Sequence, residues 1–182
     1  APRVSAALTE PVVQFNPYRL GTTALRDGDS YVLKGTKTYV PLADEAEVIL
    51  VYANEAGRTQ AFLVPADTDG LVVGQRDKLM GVRALPTNLL TLSDVRVPLS
   101  SKIGGDEGID FGLILNHSRV AQGAAAVGVA RAGFEYARDY AKQRVQFGEP
   151  IAHRQSIAFM LADMATEVDE ARLLVWETAW LL

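Results

Sequence analysis

The chain has 182 residues, with 18 Lys and Arg against 22 Asp and Glu, a net charge of −4, and no cysteine. That length builds one large domain or two small ones, and the acidic balance gives no footing for nucleic acid or an anionic membrane, so an anionic ligand has to be held by a few local arginines. Disulfides, thiol nucleophiles and zinc ribbons are excluded, no apolar run is long enough to span a bilayer, and nothing at the N-terminus reads as a signal peptide; a cytoplasmic enzyme or enzyme subunit is the expectation.

In chain order, Tyr31-Val-Leu, Val48-Ile-Leu-Val-Tyr52, Ala61-Phe-Leu-Val64, Leu71-Val-Val73 and Leu89-Leu-Thr-Leu92 read as short strands. Asp27-Gly28 predicts a hairpin turn, Asp69-Gly70 a second and the stretch from Asn54 to Gly57 a third. Strands at this spacing predict a compact antiparallel barrel or sandwich over residues 1–103. After Gly104-Gly105 and Gly108 the period changes. Val120, Ala124, Val127, Arg131 and Phe134 recur at helical spacing up to about Arg144, and Ile157, Met160, Leu161, Met164, Val168, Ala171, Val175 and Leu182 share one face of a second helix. Residues 104–182 are therefore expected to form antiparallel helices, and the whole chain is α+β. A further apolar stripe, Leu173, Trp176 and Trp180, implies more of a bundle or another subunit, and the uncapped end at Leu181-Leu182 reads as a cut bundle.

The junction of the two helices carries the chemistry. Arg144-Val-Gln146-Phe147-Gly148-Glu-Pro150 ends the first helix, and Gln155 stands where the second opens near Ser156. A planar guanidinium grips phosphate oxygens bidentately, and glycine lets backbone approach a ligand closely. Capping of a helix end uses the same residue types. In this long context the segment resembles the C-terminal domain of acyl-CoA dehydrogenases, a flavoprotein family. The resemblance extends over Leu8-Thr9-Glu10-Pro11, the hairpin from Asp27 through Gly35 to Lys37, and Lys78-Leu-Met-Gly81-Val-Arg83 with Asp94-Val-Arg-Val-Pro98 as closing strands of the β-domain.

The resemblance implies an N-terminal helical domain, a middle β-barrel and a C-terminal helical bundle that clamp FAD in a dimer or tetramer. It implies that Thr9 meets the flavin edge and that Arg144, Gln146, Phe147 and Gln155 hold the FAD of a neighbouring subunit. Asn116 and Arg119 are implied to line the acyl-CoA channel. Some members carry the catalytic glutamate just before that arginine, where this chain has Ser118; the commoner position lies beyond residue 182, so no catalytic base is expected here. The implied activity is α,β-desaturation of an acyl-CoA to an enoyl-CoA, with a separate electron-transfer acceptor and homo- or hetero-oligomers formed through the C-terminal helices.

Two departures bear on the flavin. The family's Gly-Ala-Gly-Ser-Asp after Leu-Thr-Glu-Pro is here Val12-Val13-Gln14-Phe15-Asn16, and its aromatic-Ile-Thr/Ser is Tyr39-Val40-Pro41. Proline has neither a hydroxyl nor an amide proton to offer. The alternatives therefore include a non-catalytic partner that completes a neighbour's FAD site, with FAD bound only in a mixed assembly, and a flavin-dependent oxidase or monooxygenase on the same fold. His117 and His153 lack a metal-ligand companion and read as surface residues. Asp163, Glu167 and Glu170 read as a solvated face with Arg172 nearby, and Gly123 and Gly128 as close helix packing rather than phosphate binding.

Overall fold

A computed structural model describes residues 1–81 and 83–182; Val82 lies outside the described residues. Strand β1 (Val4–Ala7) runs parallel to β4 (Val48–Glu55), with Val4 opposite Val48 and Ala7 opposite Val51. Strands β2 (Thr23–Asp27) and β3 (Ser30–Pro41) form a hairpin in which Asp27 faces Ser30. Gly28, at φ 59°, supplies the positive φ that such a two-residue turn requires. Strand β5 (Arg58–Pro65) returns along β4 through Ala56 and Gly57, and Asn54 Oδ1 accepts the Gly57 N–H at 2.8 Å. Strands β6 (Leu71–Arg76) and β7 (Thr87–Pro98) pair antiparallel, and β7 lies along β3 from Ser30↔Pro98 to Pro41↔Thr87.

The sheet order is β1-β4-β2-β3-β7-β6, with β5 on β4. Three sequence expectations change. The sheet is mixed, because β1 and the first residue of β2 run parallel to β4. Asp69-Gly70 turns the chain without making a hairpin, since β5 pairs with β4 and β6 with β7. Residues 78–81 and Arg83 form a loop, so of the two proposed closing strands only 94–98 is one.

Two bulges set which residues face inward. Between Leu33↔Val95 and Gly35↔Leu92 strand β7 carries an extra residue, and Asp94 there has φ 54°. Leu90 and Leu92 before it, and Val95 and Val97 after it, consequently all enter the core. Between Lys37↔Leu90 and Val40↔Asn88 the extra residue is on β3, and Tyr39 has φ 53°. Lys37 and Val40 are buried while Tyr39 is exposed. The core gathers these with Leu33, Ile49, Val51, Phe62 and Val64. The rings of Tyr31 and Phe62 meet edge-on at 5.0 Å. A hydrogen bond to Glu55, helped by burial, pushes the Tyr31 phenol up to about 12. Glu55 also receives Lys102 at 2.7 Å.

Helix α1 (Phe111–Gln143) and helix α2 (Gln155–Leu181) follow. The chain divides into two compact units, Ala1–Phe111 and Gly112–Leu182. The division falls past the glycines at 104–108 because the next residues are tied into the β unit. Ile109 N–H donates to Gln60 Oε1 at 2.9 Å, and the Phe111 ring meets the edges of Tyr18 and Tyr52, each at 5.5 Å.

In the second unit α1 and α2 lie antiparallel along a seam of half-buried Val120, Val127, Phe134, Leu161, Val168 and Val175. A Cβ at Gly123 would stand 3.2 Å from Val175 Cγ2, so this glycine does permit close packing. Gly128 faces open space, and packing does not account for it. Trp176 and Trp180 are exposed, with the Arg172 guanidinium 5.2 Å over the Trp176 ring. Arg172 pairs with Asp169 rather than with Asp163, Glu167 or Glu170. Among the described residues no cluster of side chains suits a metal ion and no helix is long and apolar enough to cross a membrane.

Gly35 is where the sheet tolerates no side chain: a Cβ there would lie 2.7 Å from Thr22 Cα. Backbone cannot yield as a flexible side chain does, so Gly35→Ala is expected to cost about 1–3 kcal/mol. The check is a lower urea midpoint at unchanged slope.

Candidate functional site

Residues 8–10 leave β1 as a loop, and a buried ion pair holds it. Lys37 is wholly buried and Glu10 is 7% exposed, with Lys37 Nζ 2.9 Å from Glu10 Oε1 and 3.1 Å from the Leu8 carbonyl oxygen. The carboxylate accepts two further bonds, from Gly21 N–H at 2.7 Å and Thr22 N–H at 2.8 Å. Burial raises the Glu10 pKa, but the ammonium and the two amide donors outweigh it and hold the group below its ordinary value. Burial likewise pulls Lys37 below the ordinary lysine value, with Glu10 opposing. Thr9 sits between these anchors. Its carbonyl accepts the Thr38 N–H at 2.9 Å, which ties the loop to β3, and its side chain is half-buried.

The neighbouring stretch of β3 is as firmly placed. The bulge turns Tyr39 outward; Ser5 Oγ donates to the Pro41 carbonyl at 2.5 Å; Leu42, at φ 50°, donates its N–H to the Pro86 carbonyl at 2.8 Å. Pro41 has no amide proton to donate, and the N–H of Leu42 beside it is already bonded to Pro86. In the loop after Pro11, Gln14 is exposed and Phe15 half-buried. Asn16 Oδ1 then accepts the Tyr18 N–H, and Thr59 Oγ1 donates to the Pro17 carbonyl.

In the second unit the predicted residues fall into two groups. Asn116 and Arg119, one turn apart on α1, line an open groove of about 370 Å³ with Leu174, Thr178 and Leu182. Arg119 makes no ion pair among the described residues, so its guanidinium is available to an anion. Ser118 is exposed and carries no carboxylate with which to take a proton. His117 Nδ1 bonds the Leu113 carbonyl and His153 bonds Glu149, the surface roles expected of them.

The second group gathers at the helix junction. Strands β8 (Val145–Gln146) and β9 (Glu149–Pro150) form a minimal hairpin whose tip is Phe147-Gly148, at φ 54° and 85°. Positive φ at both central residues identifies the primed turn that suits a two-residue hairpin; a non-glycine residue there carries strain of about 1–3 kcal/mol. Phe147 is 92% exposed. The Arg144 backbone bonds Tyr140 and Ile151, whereas its side chain is exposed and without an ion-pair partner among the described residues. Gln146 and Gln155 are exposed as well, and Gln155 opens α2. Sequence reading did not single out Lys37 as a buried cation, Glu10 as its partner, or Arg154, which lies 5.6 Å over the Phe147 ring. For the first pair the available signal was a lysine in phase with Tyr31 and Leu33.

Comparison with known proteins bears on both units. The family profile described as "Acyl-CoA dehydrogenase, middle domain" matches residues 5–95, and "Acyl-CoA dehydrogenase, C-terminal domain" matches residues 111–182. Cyclohex-1-ene-1-carbonyl-CoA dehydrogenase of Syntrophus aciditrophicus is 38% identical over 97% of this chain and 44% of its own length. The mitochondrial short-chain specific acyl-CoA dehydrogenase of Bos taurus is 38% identical over 96% of this chain and 44% of its own. Among solved structures, glutaryl-CoA dehydrogenase from Mycobacterium smegmatis is similar with a TM-score of 0.87 and 33% identity, over 100% of this chain and 48% of that one. The chain thus spans about half the length of the curated relatives it matches.

Glu10 is the group whose loss should be felt most. Glu10→Gln leaves the Lys37 ammonium buried without a counter-charge, and is expected to lower stability by about 3–5 kcal/mol at neutral pH. A carboxyl held below its unfolded pKa contributes stability that is complete above that value and is lost as pH falls through the folded one. Chemical denaturation across the acid range should therefore show the parent losing stability on that limb, with a flatter limb in Glu10→Gln.

Proposed function

Because the chain belongs to the acyl-CoA dehydrogenase family, we propose that it is part of an FAD-dependent enzyme that converts an acyl-CoA thioester to the enoyl-CoA. The observation that carries this is the hairpin at the helix junction. Arg144, at the base of that hairpin, has an exposed guanidinium with no ion-pair partner among the described residues, and at the tip a Cβ on Gly148 would meet nothing within 4 Å. A cation and open backbone on one hairpin suit the phosphates of a dinucleotide, and the exposed Phe147 ring suits its apolar faces. These residues fit FAD, and in our reading they reach the cofactor of a neighbouring subunit, with Gln146 and Gln155 as polar contacts. FAD supplies hydride acceptance from the β-carbon of the substrate.

The remaining roles belong to the protein. Thr9, fixed between the Glu10–Lys37 pair and the Thr38 amide, presents its hydroxyl to the flavin edge. Asn116 and Arg119 offer a hydrogen bond and a charge to the thioester end or the CoA chain. Removal of the α-proton needs a carboxylate, and Ser118 does not provide one; that base comes from outside residues 1–182. Electrons then leave to a separate acceptor.

Pro41, Gln14 and Phe15 favour a second reading. With no donor at 41 and bulk at 14 and 15, this subunit serves its neighbour's FAD through Arg144 and holds none of its own. The absorption spectrum of the purified full-length protein separates the two. A flavin band in the protein purified alone is the expected result; a colourless protein that turns yellow only with a partner chain establishes the second reading. A protein that never takes up flavin defeats both. In the flavin-loaded form, Arg144→Ala is expected to weaken FAD binding by about tenfold or more, as the loss of a charge-assisted phosphate contact requires.

A further inference from the structure

The tip of the β8–β9 hairpin holds an aromatic residue in a conformation that two-residue turns usually give to Asn or Asp. Phe147 is also almost fully exposed, so the packing of a core does not impose that conformation. One side chain reaches all three parts of the hairpin. The Arg154 guanidinium lies 5.6 Å from the Phe147 ring centroid, Nη2 stands 3.2 Å from Glu149 Oε1, and Nη2 also donates to the Gln146 carbonyl at 3.4 Å. It therefore touches the first strand, the tip and the second strand.

The anchor of that side chain is itself fixed. Arg154 immediately precedes α2; its N–H bonds the Ile151 carbonyl, and its own carbonyl accepts the Ala158 N–H, the first turn of the helix. Glu149, the acidic member, is held from a second side by His153 at 3.4 Å. A guanidinium offers a face to an aromatic ring and edges to oxygen acceptors at the same time, which an ammonium does not. The hairpin is thus strapped to the start of α2 by a residue that leaves the outer surface of Phe147 free.

We propose that Arg154 is a positioning residue of the cofactor site: it sets Phe147 and the adjoining Gly148 backbone before FAD arrives, so that little ordering is left for the binding step. The inference rests on the reading of Arg144 and Phe147 as FAD contacts. Its physical basis is preorganisation, which raises affinity because the conformational entropy is already given up in the free state and is not lost on binding.

The test is FAD titration of the full-length apoprotein, with the parent, Arg154→Met, Arg154→Lys, Arg144→Ala and Phe147→Ala, followed by flavin fluorescence, and with thermal melting of each apoprotein. Arg154→Met is expected to weaken FAD by about five- to tenfold while the apoprotein melts as the parent does. Arg154→Lys should recover part of that loss, since it keeps a cation over the ring but loses the fork. If Arg144→Ala and Phe147→Ala weaken FAD and Arg154→Met does not, the positioning role is overturned and the cofactor reading stands. If none of the three changes FAD affinity, both fall. A drop in apoprotein melting equal in effect to the drop in affinity would show Arg154 to be a stability residue only, and would also overturn the proposal.

Discussion

A lysine ammonium with no access to water decides how the β unit is built. Lys37 is carried inside by the phase of β3, and its charge has to be met there. Glu10 meets it, and in doing so reaches over to the amides of Gly21 and Thr22, so one carboxylate joins the loop after β1, the approach to β2 and the middle of β3. That threefold use also explains why an apolar pair would not substitute. The buried Thr22 N–H and the part-buried Gly21 N–H would be left without their acceptor, a loss independent of the charges. Gly35 belongs to the same arrangement, since its lack of a side chain lets Thr22 come close enough to face Glu10.

The two units present functional groups in opposite ways. In the β unit, Thr9 is held by its own bond to Thr38 and by the anchored Leu8 and Glu10 on either side, and the bulge at Tyr39 turns that aromatic ring outward after the strand has carried Lys37 inward. In the helical unit the candidate groups sit on exposed surface. Arg144, Gln146, Phe147 and Gln155 cluster at the bend between α1 and α2, while Asn116 and Arg119 lie at the far end of α1, beside the last turn of α2.

Much of this was readable from the sequence because it depended on local chemistry. Asp27-Gly28 and the Asn54–Gly57 stretch form the hairpins that their turn residues require, and helical periodicity located α1 and α2 closely. What escaped depended on partners distant in the chain. Asp69-Gly70 has the composition of a hairpin, yet β5 and β6 were claimed by β4 and β7, and no local signal tells which strand wins. The parallel seat of β1 on β4 and the loop at 78–81 are of the same kind. Lys37 is an outward residue by type; its inward place follows from the alternation of β3 through Tyr31 and Leu33, and is tolerated only because Glu10, distant in the chain, meets its charge. Arg154 is not singled out by the sequence, because nothing there tells that its side chain folds back over Phe147.

The pairing of Ser30 with Pro98 has a consequence for how the molecule is made. A chain emerging from its N-terminus completes the β2–β3 and β4–β5 hairpins early, from neighbours in sequence. β3 must then wait with one edge bare, and β6 with no mate at all, until β7 has been synthesised. An unpaired edge rich in apolar side chains is a template for joining other chains. Sheets dominated by such distant pairings also close slowly. Between the translation of β6 and that of β7 the nascent sheet therefore presents an open β3 edge and an unpaired β6, and it is over that interval that shielding from other chains matters.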